Sequence, residues 1–365
     1  MTDTYCRHLL LVEDNPAGHR LAFVAYVANW ANDLGIQVTV LVTSTVVQSV
    51  EFEVHMSQCP QVALVTGEGD TIGLAEVARV SQVCESDVTI IFDGDSFLPE
   101  LVRRGWRGSG CIHVLVMRSP WQSDRFGARH IMKRALIRVL MKRHNICPTL
   151  LRGIGQLDVR GVPSCPDPVK WSPNLARTNE LKRHLDARRT WFGIFGGMSP
   201  RKNVTLFARA LLMSGRSDIG LMLAGSWPEK EAYRLDLAVR NLTSSGIPVV
   251  TYDHYLDEET FDSAVAAVDY VVIANDGPDS SGVALKGLAA GVHLLIAGSQ
   301  DLDVISIEAP VVNCKLNLEE IATTVRRLFK PGPTSAIRLP GPNDFAEAIC
   351  GTCLGQTGGP SSARA

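Results

Sequence analysis

The sequence predicts an α/β protein of two Rossmann-like domains, each a parallel sheet covered by helices. Short apolar runs rich in Val, Ile and Leu alternate with longer segments of helical periodicity, and glycines mark where one gives way to the other. A proline-rich stretch divides the 365 residues into two such alternations.

The first alternation opens with residues 8–12 (HLLLV), a buried-strand pattern, followed by the polar turn 13–19 (EDNPAGH). A helix-periodic segment over 21–34 stops at Gly35, and 37–43 (QVTVLVT) reads as the next strand. Two further β-branched runs, 88–92 (VTIIF) and 111–117 (CIHVLVM), extend the same sheet. Residues 125–144 carry seven Lys/Arg and no acid. Such a segment reads either as a membrane-surface helix or as a partly solvated helix beside an anionic ligand. Its charges spread widely around the helix at 100° per residue, which favours the second reading.

Residues 162–168 (VPSCPDP) hold three prolines in seven positions and read as a stiff linker. The expected organisation is therefore 1–165 as the first domain and 166–335 as the second. Residues 336–354 follow as a C-terminal segment, and 355–365 as a Gly/Ser/Pro-rich disordered tail.

The second alternation is the clearer one. Strand 191–195 leads through Gly196, Gly197 and the loop to Asn203 into a helix over 204–213. Strand 220–224 leads to a helix over 229–242, and strand 248–251 leads to a helix capped by Asp257. Strand 270–274 enters the loop 275–280, a helix runs over 281–290, and 293–297 returns to the sheet. Ligands of such sheets sit at the carboxyl ends of the strands.

Composition narrows the function. A formal charge of −2 gives no electrostatic footprint for nucleic acid, so no nucleic-acid partner is expected. Nine cysteines, an odd number scattered through apolar runs, read as reduced thiols rather than a disulfide framework. The pair Cys350 and Cys353 has C-x-x-C spacing but stands alone. The polar first five residues read as no signal peptide, and no run approaches the ~20 apolar residues of a membrane span. A cytoplasmic location is expected. No metal-ligand cluster, Gly-x-Ser-x-Gly turn or Walker-type loop is evident, so no metal is expected.

Candidate chemistry therefore lies in strand-end loops. Asp279, Ser280, Ser281 and Gly282 bring small residues, two hydroxyls and a helix N-terminus together, as a diphosphate cradle needs. The simpler role for either serine is a helix cap. Arg201 and Lys202 follow Gly196 and Gly197, and either cation suits a phosphate. In the first half, Gly18, His19 and Arg20 open the first helix, Asp93 and Asp95 follow strand 88–92, and Arg118 follows strand 111–117. These three loops face the ligand edge of the first sheet.

The order of these parts resembles the retaining glycosyltransferases of family 4, over most of residues 8–330. The likeness is tightest at Phe195-Gly-Gly-Met-Ser-Pro-Arg-Lys-Asn203 and Ser281-Gly-Val-Ala-Leu-Lys-Gly-Leu-Ala-Ala-Gly291. The resemblance implies the GT-B fold, two Rossmann-like domains facing each other across a cleft. It implies donor contacts from Gly197, Arg201, Lys202, Asp279, Ser280, Ser281, Gly282 and Lys286, and an acceptor side at Gly18, His19, Arg20 and Asp95. His19, Arg118 and Lys202 are the implied catalytic residues. The sequence departs from the family where it normally places a phosphate Arg and two Glu: those positions read Gly197, Pro278 and Lys286. Asp167-Pro168-Val169 is similar to the family's interdomain segment, and 343–350 to the helix that crosses back to the first domain.

The activity so implied is sugar transfer from a UDP-, GDP- or other nucleotide-sugar donor to an acceptor hydroxyl, with retention and no obligatory cofactor. The acceptor is a glycan, a lipid-linked sugar or a small molecule, with peripheral membrane contact as an open expectation. The departures motivate one alternative, a non-catalytic GT-B-shaped subunit, and a GT-B epimerase or phosphorylase is a further one.

Overall fold

The computed structural model describes residues 6–16, 20–57, 59–117, 119–121, 128–153, 158–275, 282–298, 311–332 and 334–351. They form two compact units: Met1–Pro168 with Pro340–Ala365, and Val169–Leu339.

The first unit is a seven-stranded sheet of β1 (His8–Glu13), β2 (Gln37–Val42), β3 (Ala63–Thr66), β4 (Val88–Ile91), β5 (Cys111–Val116), β6 (Ile146–Arg152) and β7 (Ser164–Pro166). Their spatial order is β3-β2-β1-β4-β5-β6-β7, and every pairing is parallel. The helices are α1 (Arg20–Asp33), α2 (Ser44–Val47), α3 (Val50–Met56), α4 (Leu74–Val83), α5 (Leu98–Arg104) and α6 (Ala128–Leu140).

Strand β1 shows why the apolar runs are continuous. Leu9 and Leu11 pack into a core with α1 and α3, whereas Leu10 and Val12 pack into a second core with α4, α5 and α6. Both faces of a parallel strand are covered, so alternation is lost. The last helix, Pro342–Gly351, belongs to this unit: Phe345, Ala346, Ile349 and Cys350 join the α1 core, and the Phe345 ring lies 5.0 Å from that of Phe23.

The stretch 162–168 is more than a linker. Ser164–Pro166 is β7, paired with β6 at Leu150↔Ser164 and Leu151↔Cys165. It lies at the sheet edge, where a proline's missing N–H disrupts no further pairing. The proline count hides this strand.

The second unit begins with α7 (Leu175–His184) and holds β8 (Thr190–Phe195), β9 (Ile219–Ala224), β10 (Val249–Tyr252), β11 (Tyr270–Ala274), β12 (His293–Ala297) and β13 (Val311–Cys314). Helices α8 (Val204–Ser214), α9 (Glu229–Ser244), α10 (Glu258–Ala267), α11 (Gly282–Ala289) and α12 (Leu318–Arg327) complete it; we number the Pro342–Gly351 helix α13. The order β10-β9-β8-β11-β12-β13 is again parallel throughout. In both sheets the direction of winding reverses beside the first strand, between β1 and β4 and between β8 and β11, the place where such folds bind ligands.

Two glycines shape the end of β8 and β9. Gly196 has φ +83° and Gly225 φ +139°, both in the region that favours glycine. A Cβ on Gly225 would lie 2.3 Å from the Gly196 carbonyl oxygen. Gly225→Ala should therefore destabilise the protein by about 2 kcal/mol or more. Thermal unfolding checks this; a melting temperature equal to wild type would show that the two loops can part at no cost.

Candidate active site

At the reversal point of the second sheet the strands separate. β8 and β11 pair only at Tyr270↔Phe192 and Val271↔Gly193, whereas β8 and β9 stay paired from Thr190↔Ile219 to Phe195↔Ala224. The carboxyl ends of β8 and β11 therefore have no ladder between them. Asn203 spans the gap. It sits in the left-handed region at φ 49°, and its Nδ2 donates to the Ala274 carbonyl (2.8 Å) and to the Arg201 carbonyl (3.0 Å). Asparagine is among the few side chains that tolerate this backbone.

Asn203 ends a single 3-10 turn, Pro200–Lys202, that delivers two cations to this edge. The Lys202 ammonium donates to the carbonyl of Phe195, the last residue of β8. Burial, with the Arg201 guanidinium adding, lowers its pKa to about 8. Arg201 is exposed. Among the described residues, a Cβ on Gly197 would meet only Ser226 Oγ, at 3.8 Å. A concavity of 280 Å³ opens along the same loop, lined in part by Met198, Ser199, Pro200, Asn203 and Arg209.

Gly282 is the first residue of α11, the helix that follows β11. Asp279, Ser280 and Ser281 lie outside the described residues, as do Gly18, His19 and Arg118 and the tail 355–365.

Lys286 lies within α11 and is paired inside the second unit. Its ammonium donates to Asp262 Oδ1 on α10 (2.5 Å) and to the Lys170 carbonyl (3.1 Å), and it lies 5.6 Å from the centre of the Phe261 ring. Asp262 is fully buried and also accepts the Ser172 N–H (2.9 Å). Burial raises the Asp262 pKa and Lys286 opposes the rise. The pair ties residues 170–172 to α10 and α11, and two of the three Lys286 donors serve that tie.

The matching edge of the first sheet carries Arg20 and Asp95. Arg20 pairs with Asp93, just past β4, and lies 3.8 Å from Glu13 Oε1 at the end of β1. Asp95 forms an ion pair with Lys133 of α6 (2.9 Å).

Two polar groups at strand ends escaped the sequence reading. Glu13 has a wholly buried side chain whose Oε1 accepts the Asn15 N–H (2.9 Å), while Oε2 has no hydrogen-bond partner among the described residues. Burial raises its pKa to about 8, against the pull of Arg20 and the Asn15 N–H. Trp227, past β9, likewise buries an indole N–H without an acceptor among those residues. Their available signal is an acid or an indole directly after a buried apolar strand. Among the described residues, no group of three or more His, Cys, Asp or Glu could hold a metal ion.

No protein-family model matches the sequence, and no curated protein matches it. Solved structures do match, across nearly the whole chain. The Anabaena protein Alr3699/HepE, solved with UDP and glucose, is 12% identical with a TM-score of 0.64, covering 94% of this chain and 93% of its own. A sucrose-phosphate synthase from Thermosynechococcus elongatus is 13% identical with a TM-score of 0.64, covering 95% and 96%. WaaG, a glycosyltransferase involved in lipopolysaccharide biosynthesis, is 13% identical with a TM-score of 0.58, covering 96% of each.

The chain has the GT-B fold. In this GT-B chain both sheets end in ionisable groups beside their reversal points, the buried Glu13 in the first and the half-buried Lys202 in the second.

Because the folded-state pKa of Glu13 lies above the ordinary value of 4.5, wild-type stability falls as pH rises from 4.5 to about 8. Glu13→Gln removes that dependence. It should raise the melting temperature at pH 8, with the gain shrinking toward zero near pH 4.5. Calorimetric scans across this range test it, and a pH-independent or negative difference would mean that Glu13 is ionised in a stabilising pair.

Proposed function

We propose that the chain is a glycosyltransferase that moves a sugar from a nucleotide-sugar donor to an acceptor hydroxyl, with retention. The observation that carries this is the Lys202 ammonium, held on the last carbonyl of β8 at the reversal point of the second sheet, where parallel sheets take their ligands. A half-buried cation there suits the donor's diphosphate. The fold of structures solved with UDP and UDP-glucose supports the same ligand class.

In this reading Lys202 and Arg201 meet the diphosphate, and Gly197, with no side chain, admits it. Asp279, Ser280, Ser281 and Gly282 cradle it at the start of α11. The bond from the sugar's anomeric carbon to the diphosphate breaks, a bond to the acceptor oxygen forms on the same face, and the acceptor proton leaves. Positive charge aimed at the leaving group stabilises the charge that develops on it. Gly18, His19, Arg20, Asp95 and Arg118 belong to the acceptor side, with Arg20 oriented by Asp93 and Glu13. Lys286 acts as a structural tie, so ribose recognition falls to other groups, Trp227 Nε1 among the donors nearby in the sheet.

The buried Lys286–Asp262 pair favours one second reading, a GT-B-shaped subunit without donor chemistry, because it occupies a position where relatives of this kind carry an acid.

Lys202→Met keeps the stem and removes the charge. Under the transferase reading UDP binding weakens about ten-fold or more, while uridine binding changes less than about two-fold. Titration calorimetry measures both. Equal losses for the two ligands would remove Lys202 from the phosphate site, and no binding of either by wild type would favour the subunit.

A further inference from the structure

Helix α6 carries apolar residues on its exposed side as well as its buried one. It buries only Ile137 and Leu140 fully. Its opposite side presents Ala128, Ile131, Met132, Ala135 and Val139 to solvent, at i, i+3, i+4, i+7 and i+11. Ile131 and Met132 each keep 57% of their surface exposed and Val139 keeps 42%. A lone exposed leucine is ordinary, but a one-sided ridge of this kind marks an interaction surface.

The cations of the same segment divide into two groups. Three are spent inward: Lys133 on Asp95 (2.9 Å), Arg134 Nε on the Pro120 carbonyl (2.8 Å) and over the Trp121 ring, and Arg143 on the Leu101 and Val102 carbonyls. Three more, Arg129, Arg138 and Lys142, are exposed and border the ridge, and the seventh, Arg125, lies outside the described residues. No Asp or Glu stands between residues 128 and 145. The even spread of charge read from the sequence therefore gives way to an apolar ridge edged by cations, in a chain whose formal charge is −2.

We propose that this face of α6 docks on the surface of a lipid bilayer bearing anionic headgroups. Ile131, Met132 and Val139 enter the headgroup–acyl boundary, and Arg129, Arg138 and Lys142 meet the phosphates. Charge complementarity selects this occupant. A second copy of the face would set these three cations against their own kind. A nucleic acid would satisfy the cations and leave the ridge in water. Docking of α6 is independent of the proposed transfer reaction, and no helix among the described residues is long and apolar enough to cross a membrane.

The test is sedimentation of the full chain with phosphatidylcholine vesicles, with and without phosphatidylglycerol. Wild type binds the phosphatidylglycerol vesicles at least about ten-fold more tightly than pure phosphatidylcholine, and added salt weakens the binding. The triple variant Ile131→Ser, Met132→Ser, Val139→Ser changes only exposed side chains, and so does Arg129→Glu with Arg138→Glu. Each set lowers vesicle binding about ten-fold or more, with the melting temperature retained. Several results would overturn the proposal: no vesicle binding by folded wild type, equal binding by the variants, or self-association that the triple variant abolishes. So would tight binding to single-stranded RNA without vesicle binding.

Discussion

A lysine ammonium withdrawn from water must find an oxygen, and at the end of β8 that oxygen belongs to the strand itself. The bond from Lys202 to the Phe195 carbonyl folds the loop back over the sheet edge, and the surrounding chain is arranged to allow it. Gly196 takes a positive φ, Gly225 lets the β9 loop pass within contact of Gly196, and Asn203 accepts a left-handed backbone and fastens the turn to β11. Each feature alone is a minor cost. Together they hold a cation whose pKa burial and Arg201 lower to about 8, a shift that a bound anion would reverse.

The other buried charges are treated differently. Asp262 is buried completely but has Lys286 and the Ser172 N–H, so its charge is internally answered. Asp269 of the same unit accepts the Trp191 N–H (2.8 Å) and has Lys330 at 3.8 Å. Among the described residues Glu13 has a distant Arg20 and one N–H, one of its oxygens finds no partner, and burial keeps its pKa high. Incompletely answered groups at strand ends are the ones a substrate can complete.

Much of this fold was legible because parallel sheets bury both faces. Strands such as 270–274 and 293–297 are unbroken apolar runs between turns, and the structure places β11 and β12 on those residues. Edge elements were not legible. β3 is largely exposed and β7 holds only three residues, with a proline at its end, so neither carries a core pattern. The cation at Lys202 was visible as a basic residue after a Gly-Gly turn. The role of Lys286 was not, because a family motif places position 286 near a ribose while a pairing with Asp262, 24 residues earlier, leaves no local signal. Glu13 was hidden within an ordinary polar turn, since burial of a carboxylate is a property of the packed sheet.

The proposed diphosphate contact of the cation at the end of β8 can be tested at the lysine itself. The most direct measurement is an NMR pH titration of lysines labelled at Cε, with Lys202→Arg to assign the signal. An inflection near pH 8 is expected in the free protein, against the usual 10.5, with a rise toward the usual value when UDP is bound. A titration at the usual value, or one near pH 8 that UDP leaves unmoved, would contradict it.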